Sequence, residues 1–255
     1  MNAEAITSAA NPLLKEIRRA VGDGGLTRDG YCIAETPHLL HEAVRSGCAI
    51  GAVLLAGDAP LGEIPRGVRV IRVPERLFDA TAATNAPQGV LALVRPPQWS
   101  EADLLRGTPL IAVMDGVQEP GNAGAILRSA EAFGATGAVL VKGSANPYNP
   151  KAVRASAGSV FRLPLLAGIP PEAARTLLAG VTVYAAAADA ELTAAAADLT
   201  APCAIVIGSE GRGVSAAMRA GATLLRIPTR SVESLNAAVA AAVLLYEASR
   251  QRNPA

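Results

Sequence analysis

The sequence predicts an α/β protein whose second half is a mostly parallel sheet with helices on both faces, preceded by a small α/β domain. Three observations carry this expectation. Short strand-like runs alternate with segments of helical period along the chain. The runs of the second half are continuously apolar, as strands buried on both faces require. Between the halves stands Arg95-Pro96-Pro97-Gln98-Trp99-Ser100, whose two prolines remove backbone donors and resist helix. The expected division is 1–94 for the first domain, 95–107 for a linker and 108–255 for the second, and 255 residues give enough chain to bury a core.

In the first half, Asn11 and Pro12 start a helix that runs to Val21, with Leu13, Leu14, Ile17 and Val21 on its apolar face. Tyr31–Ala34 reads as a strand. Thr36 caps a helix over Pro37–Ser46, and Ala52–Leu55, Val68–Val73 and Val90–Val94 read as further strands. Trp99 is taken as a packing residue at the joint. In the second half Leu110–Met114, Ala138–Val141, Val181–Ala185, Ala204–Ile207 and Leu224–Ile227 are strands. Helices are expected over Asn122–Phe133, after Asn149-Pro150, and over Ser234–Arg250. The alanine-rich Ala185–Ala197, broken by Asp189, Glu191 and Thr193, reads as loop and short helix.

Composition excludes several classes. A net charge of +1 gives no global attraction to a polyanion, so any nucleic-acid site must be a local basic patch. Cys32, Cys48 and Cys203 are isolated and not spaced as zinc ligands; they read as reduced core thiols, and no metal is expected. The start of the chain lacks a basic segment followed by an apolar core, and the longest apolar run, Leu235–Tyr246, falls short of the ~20 residues that cross a bilayer. A cytoplasmic protein without a membrane partner is expected.

Ligands of open parallel sheets bind at the carboxyl ends of strands, and three polar, glycine-bearing segments fall there. The first is Asp115-Gly-Val-Gln-Glu-Pro-Gly-Asn-Ala-Gly-Ala-Ile-Leu-Arg-Ser-Ala, with Asn122 at a helix start and Arg128 nearly two turns on. The second is Ile207-Gly-Ser-Glu-Gly-Arg-Gly-Val-Ser, whose glycines permit close backbone approach and whose Glu210 a mere turn would not need. The third is Ile227-Pro-Thr-Arg-Ser-Val-Glu-Ser-Leu-Asn-Ala-Ala-Val-Ala, leading into a helix apolar on nearly every side, which must be buried within the domain or against a second copy. The spacing is neither that of a dinucleotide fingerprint nor that of a P-loop.

In order and spacing these three segments resemble the sequence motifs of the SpoU (TrmH-type) branch of the SPOUT RNA 2′-O-ribose methyltransferases. Asn146-Pro-Tyr-Asn-Pro-Lys-Ala-Val-Arg-Ala-Ser-Ala-Gly-Ser-Val-Phe-Arg-Leu-Pro is similar to a stretch that many such enzymes carry between motifs one and two. Asn11-Pro12 with Lys15, Cys32-Ile-Ala-Glu35 and Pro87-Gln-Gly-Val90 resemble the family's L30e-like RNA-binding extension, although relatives often have Glu-Gly where this chain has Glu35-Thr36.

The resemblance implies a deep trefoil knot in the second half, a homodimer through that half, and S-adenosylmethionine bound by Gly208, Ile227 and Leu235. It makes Arg128 the catalytic residue, assisted by Asn122, Glu210, Ser234 and Asn236. A guanidinium gives up its proton too reluctantly to act as a base, so Arg128 is expected to orient the nucleotide and stabilise a developing alkoxide. Both histidines, His38 and His41, lie in the first half and read as helix-surface or packing residues. Lys142, Lys151, Arg154 and Arg162, with Lys15, Arg18 and Arg19 in the first half, are the candidates for RNA phosphate contacts. The expected substrate is large-subunit ribosomal RNA. A tRNA substrate, or a catalytically silent RNA-binding dimer of the same fold, stands as the alternative.

Overall fold

The computed structural model describes residues 4–253, in two compact units. The first contains β1 (Glu4–Ala5), α1 (Pro12–Asp23), β2 (Cys32–Glu35), α2 (Pro37–Arg45), β3 (Ile50–Ala56), β4 (Arg69–Val73), α3 (Glu75–Asp79) and β5 (Val90–Val94). Its sheet runs in the order β1-β4-β3-β5-β2, with β5 antiparallel to both neighbours. Alternation along the strands divides the core. Ile33, Leu54, Ile71, Leu91 and Leu93 face Leu14 and Ile17 of α1 and Phe78 after β4. Cys32, Ala34, Val53, Leu55, Ala92 and Val94 are buried on the opposite face, where α2 packs. The predicted caps are present: Asn11 Oδ1 accepts from Leu13 N (2.9 Å) and Thr36 Oγ1 from Leu39 N (3.1 Å).

The chain continues through α4 (Glu101–Leu104), β6 (Leu110–Asp115), α5 (Pro120–Ala132) and β7 (Gly137–Val141), all in the second unit. It then contributes α6 (Pro150–Ala155) and a 3₁₀ turn, Ser159–Phe161, to the first unit. The remainder is β8 (Leu165–Ile169), α7 (Pro171–Leu177), β9 (Thr182–Ala186), β10 (Cys203–Gly208), α8 (Ala216–Arg219), β11 (Thr223–Leu225) and α9 (Ala237–Arg252). The second sheet runs β11-β9-β10-β6-β7-β8, with every described pair parallel. Ile111, Val113, Val139, Ala204 and Val206 pack against Ala174 and Leu177 of α7 and Met218 of α8. Leu110, Ala112, Met114, Ile205 and Ile207 are buried on the other face, which α5 and α9 cover. This is the mostly parallel sheet with helices on both faces.

Several expectations need correction. Residues 148–162, placed by sequence within 108–255, pack with the first unit. The reason is local: α6 covers β2, the edge strand, and buries Ala152 and Val153, while Arg162 Nη1 pairs with the buried Glu42 carboxylate of α2 at 2.5 Å. Contiguity in sequence could not show this exchange. The expected linker 95–107 carries α4, which begins with a reciprocal Ser100/Asp103 cap and buries Leu104 completely. Ala185–Ala197 forms no helix. Its first two residues end β9, and Thr193 then bridges to Arg226. Helix α5 begins at Pro120 with Glu119 as its cap, so Asn122 is not the cap. Helix α9 begins at Ala237 with Asn236 as its cap, leaving Ser234 in the preceding loop. The last strand stops at Leu225 rather than Ile227.

The three thiols are free, with Cys32 and Cys203 buried and Cys48 half-buried; burial raises each above the usual thiol range. Both histidines lie exposed on α2. The Trp99 indole nitrogen is buried with no hydrogen-bond partner. No helix among the described residues is long and apolar enough to cross a membrane.

Candidate active site

The parallel sheet sets β6 and β10 side by side, with Asp115 and Gly208 in register at their carboxyl ends. The loop after β10 folds back at once: Ser209 N donates to Gly213 O (3.1 Å) and Gly213 N to Ser209 O (2.8 Å). Only glycine fits at 208, because a Cβ there would lie 2.0 Å from the carbonyl carbon of Gly213 and 2.1 Å from Val214 N. The buried Asp115 carboxylate fastens the far side of this loop by accepting from Ser215 N at 2.6 Å. Ser144 steadies the neighbouring loop, accepting from Gly116 N and donating to Met114 O, both at 2.9 Å.

This fold-back turns Glu210 outward to meet the other two motifs. Asn122 Nδ2, in the first turns of α5, donates to Glu210 Oε1 at 2.6 Å. Asn236 Nδ2 donates to the same oxygen at 2.9 Å and to Asn122 Oδ1 at 3.2 Å. Asn236 is held in turn because its Oδ1 caps α9 through Ala238 N and Val239 N. Two amides on one carboxylate oxygen orient the group while leaving Oε2 with no protein donor among the described residues.

Two clefts flank this cluster. The larger, about 360 Å³, is lined by the chain after β9, β10 and β11, including Gly208, Ile227 and Leu235 together with Glu210 and Ser234. The smaller, about 250 Å³, lies against Asn122 and shares Ser209, Glu210 and Ala237 with it. The larger is of small-molecule size, with apolar walls from Ile207, Leu225, Ile227 and Leu235. It also carries charges that sequence reasoning missed, namely Asp189, Arg219, Arg226 and Glu233. The position of Asp189, Arg226 and Glu233 after strand ends could have signalled them, whereas Arg219 closes α8 and carries no such signal.

The structure does not bring all candidates together. Arg128 is exposed on α5 and lines neither cleft. It follows Asn122 by six residues, roughly 9 Å further along the helix axis. Lys15, Lys142, Lys151 and Arg154 are exposed cations, and Lys151 and Arg154 belong to the first unit through α6. Arg18 donates to Ala9 O. Arg19 is held by Glu16 and Asp23, and that guanidinium keeps the Glu16 carboxyl down at about 2. Arg162 is held by Glu42. These last two are poorly placed to contact phosphate. Among the described residues no group of three or more His, Cys, Asp or Glu side chains could hold a metal ion.

Residues 109–246 match the model of the SpoU rRNA Methylase family, which spans every element of this site. The chain belongs to that family. It is 31% identical to the 23S rRNA (guanosine(2553)-2′-O)-methyltransferase RlmP of Bacillus subtilis, over 94% of this chain and 97% of the relative. Among solved structures, the AdoMet-bound rRNA methyltransferase from Sinorhizobium meliloti superposes with a TM-score of 0.85 at 28% identity, covering 97% of this chain and 98% of that one. The SpoU methyltransferase AviRb from Streptomyces viridochromogenes, in complex with AdoMet, gives 0.83 at 29% identity, covering 95% and 98%. This SpoU family member therefore shares nearly its whole length with them.

Proposed function

We propose that this chain transfers the methyl group of S-adenosylmethionine to a ribose 2′-hydroxyl of large-subunit ribosomal RNA. The observation that carries the reading is the meeting of three sequence-distant motifs, as Asn122, Glu210 and Asn236, at the edge of a cleft lined by Gly208, Ile227 and Leu235. Backbone groups beside a glycine and apolar side chains suit an adenine, while Glu210, Glu233 and Asp189 favour the cationic part of the molecule. When bound, S-adenosylmethionine supplies an electrophilic methyl on a sulfonium. That charge is lost in the reaction, so excluding water and aligning the acceptor lower the barrier.

Glu210 Oε2, oriented by Asn122 and Asn236 through the other oxygen, is placed beside the cleft to accept a hydrogen bond from the acceptor hydroxyl. Ser234 shapes the same wall. Arg128 orients the nucleotide and stabilises the developing alkoxide; lying off its own chain's clefts, it requires RNA or a second copy to bring the reacting oxygen within reach. A homodimer supplies that copy. Val239, Val243 and Tyr246 form an exposed apolar stripe along α9, with Phe133 edge-on to Tyr246. In this reading the loops around the cleft form the trefoil knot, the first unit is the L30e-like RNA-binding domain, and the enzyme works in the cytoplasm. The test is transfer of labelled methyl to ribosomal RNA by wild type, Arg128→Ala and Asn236→Ala. Loss of transfer in both variants with cofactor binding intact in Arg128→Ala is expected; full activity in Arg128→Ala would overturn the assignment.

A further inference from the structure

We infer that Arg95, stacked on Tyr31, is a platform in the first unit for one unstacked base of an RNA substrate, an inference that rests on RNA methylation as the chain's function. Tyr31 precedes β2 and Arg95 follows β5, and the antiparallel pairing of Cys32 with Val94 sets the two side by side. The guanidinium carbon lies 4.3 Å from the ring centroid. Gly51 backs the tyrosine: a Cβ there would fall 2.7 Å from ring Cε1, so the ring fills the space that a side chain at 51 would need. Arg95 is exposed, and its backbone N–H donates to Ala49 O. Its guanidinium has no hydrogen-bond or ion-pair partner among the described residues, unlike those of Arg19, Arg45, Arg69, Arg162 and Arg250, each set against a carboxylate.

The result is an exposed guanidinium held over an aromatic ring. A nucleobase stacks on such a plane whatever its sequence, and the charge adds to the attraction. Lys151 and Arg154 stand exposed on α6, which packs on β2, and supply cations for the phosphates beside the base. A protein partner fits less well. Among the described residues the large exposed hydrophobics, Leu105, Val232, Val239, Val243 and Tyr246, all belong to the second unit, so the first unit presents none of its own.

The experiment titrates the full chain into a single-stranded oligoribonucleotide carrying 2-aminopurine, whose fluorescence is quenched by its neighbouring bases and rises when it leaves their stack. Wild type and Tyr31→Phe should raise the fluorescence. Arg95→Lys, which keeps the charge but loses the plane, and Tyr31→Leu should lose the rise and bind on the order of tenfold more weakly. Thermal midpoints check folding, and Arg95→Lys, being on the surface, keeps the test decisive if Tyr31→Leu is unstable. Binding and fluorescence equal to wild type in Arg95→Lys overturn the platform while leaving methyl transfer untouched. A wild type that raises the fluorescence yet methylates no ribosomal RNA keeps the platform and removes the reading beneath it.

Discussion

Thr36 carries the clearest residue-scale strain, with φ 142° and ψ 154°, a region in which nearly all residues are glycine. The backbone holds a conformation that glycine adopts at little cost, although the side chain is threonine. The compensation is the hydroxyl, which caps α2 through Leu39 N. Strain of about 1–3 kcal/mol outweighs the few tenths lost when glycine replaces a capping residue, and part of the gain is returned as glycine's backbone entropy. Thr36→Gly should therefore stabilise the first unit by about 1 kcal/mol, whereas Thr36→Ala, which keeps the strain and loses the cap, should destabilise it by a similar amount. Chemical denaturation of the three proteins checks the order; glycine as the least stable would contradict it. Gly208 is the opposite case, a position where backbone crowding admits no side chain at all.

At the scale of elements, α9 is secured at both ends. Asn236 caps its start, and the Arg252 guanidinium near its end donates to the carbonyls of Leu199 (2.8 Å), Thr108 (2.8 Å), Pro109 (3.0 Å) and Ala201 (2.7 Å). These acceptors precede β6 and β10, so one side chain ties the last helix to the amino ends of both central strands. Removing it strips a charged donor from several carbonyls at once. Arg252→Ala should cost about 2–4 kcal/mol and lower the unfolding midpoint of the second unit by roughly 5–10 °C. Arg252→Lys, with fewer and less divergent donors, should fall between. A midpoint within a degree of wild type would show that the latch contributes nothing.

The same helix shows where sequence was informative and where it was not. Its all-round apolarity called for burial, and Ala241, Leu244, Leu245 and Ala248 are buried, whereas Val239, Val243 and Tyr246 stay exposed. The continuous runs Leu110–Met114 and Ala204–Ile207 announced strands covered on both faces. The short pieces were not legible. Two-residue β1, four-residue α4 and α8, and the five-residue edge strand β8 lack enough residues for a period to emerge. Asn122 looked like a cap because asparagine usually is one, but Pro120 had already begun the helix and freed the amide for Glu210.

For the whole molecule, what sequence could not supply was the meeting of distant segments. The motifs were each visible, yet their convergence on one carboxylate oxygen depends on the loop that Gly208 permits and Asp115 fastens. The exchange of 148–162 into the first unit was equally hidden, and it moves Lys151 and Arg154 from the methyltransferase half to the first unit. The α9 stripe poses the remaining question of assembly. Val243→Asp would place a charge in the centre of the proposed dimer contact, and light scattering should then report a monomer where wild type is a dimer. An unchanged mass would place the interface elsewhere.

The central claim is a methyl group on a ribose oxygen of ribosomal RNA. Large-subunit RNA treated with the chain and labelled S-adenosylmethionine should be digested to nucleosides and weighed, beside RNA treated with Glu210→Gln. The expected result is label in one 2′-O-methyl nucleoside, sharply reduced by the substitution. Label on a base, or only in tRNA, would contradict the account.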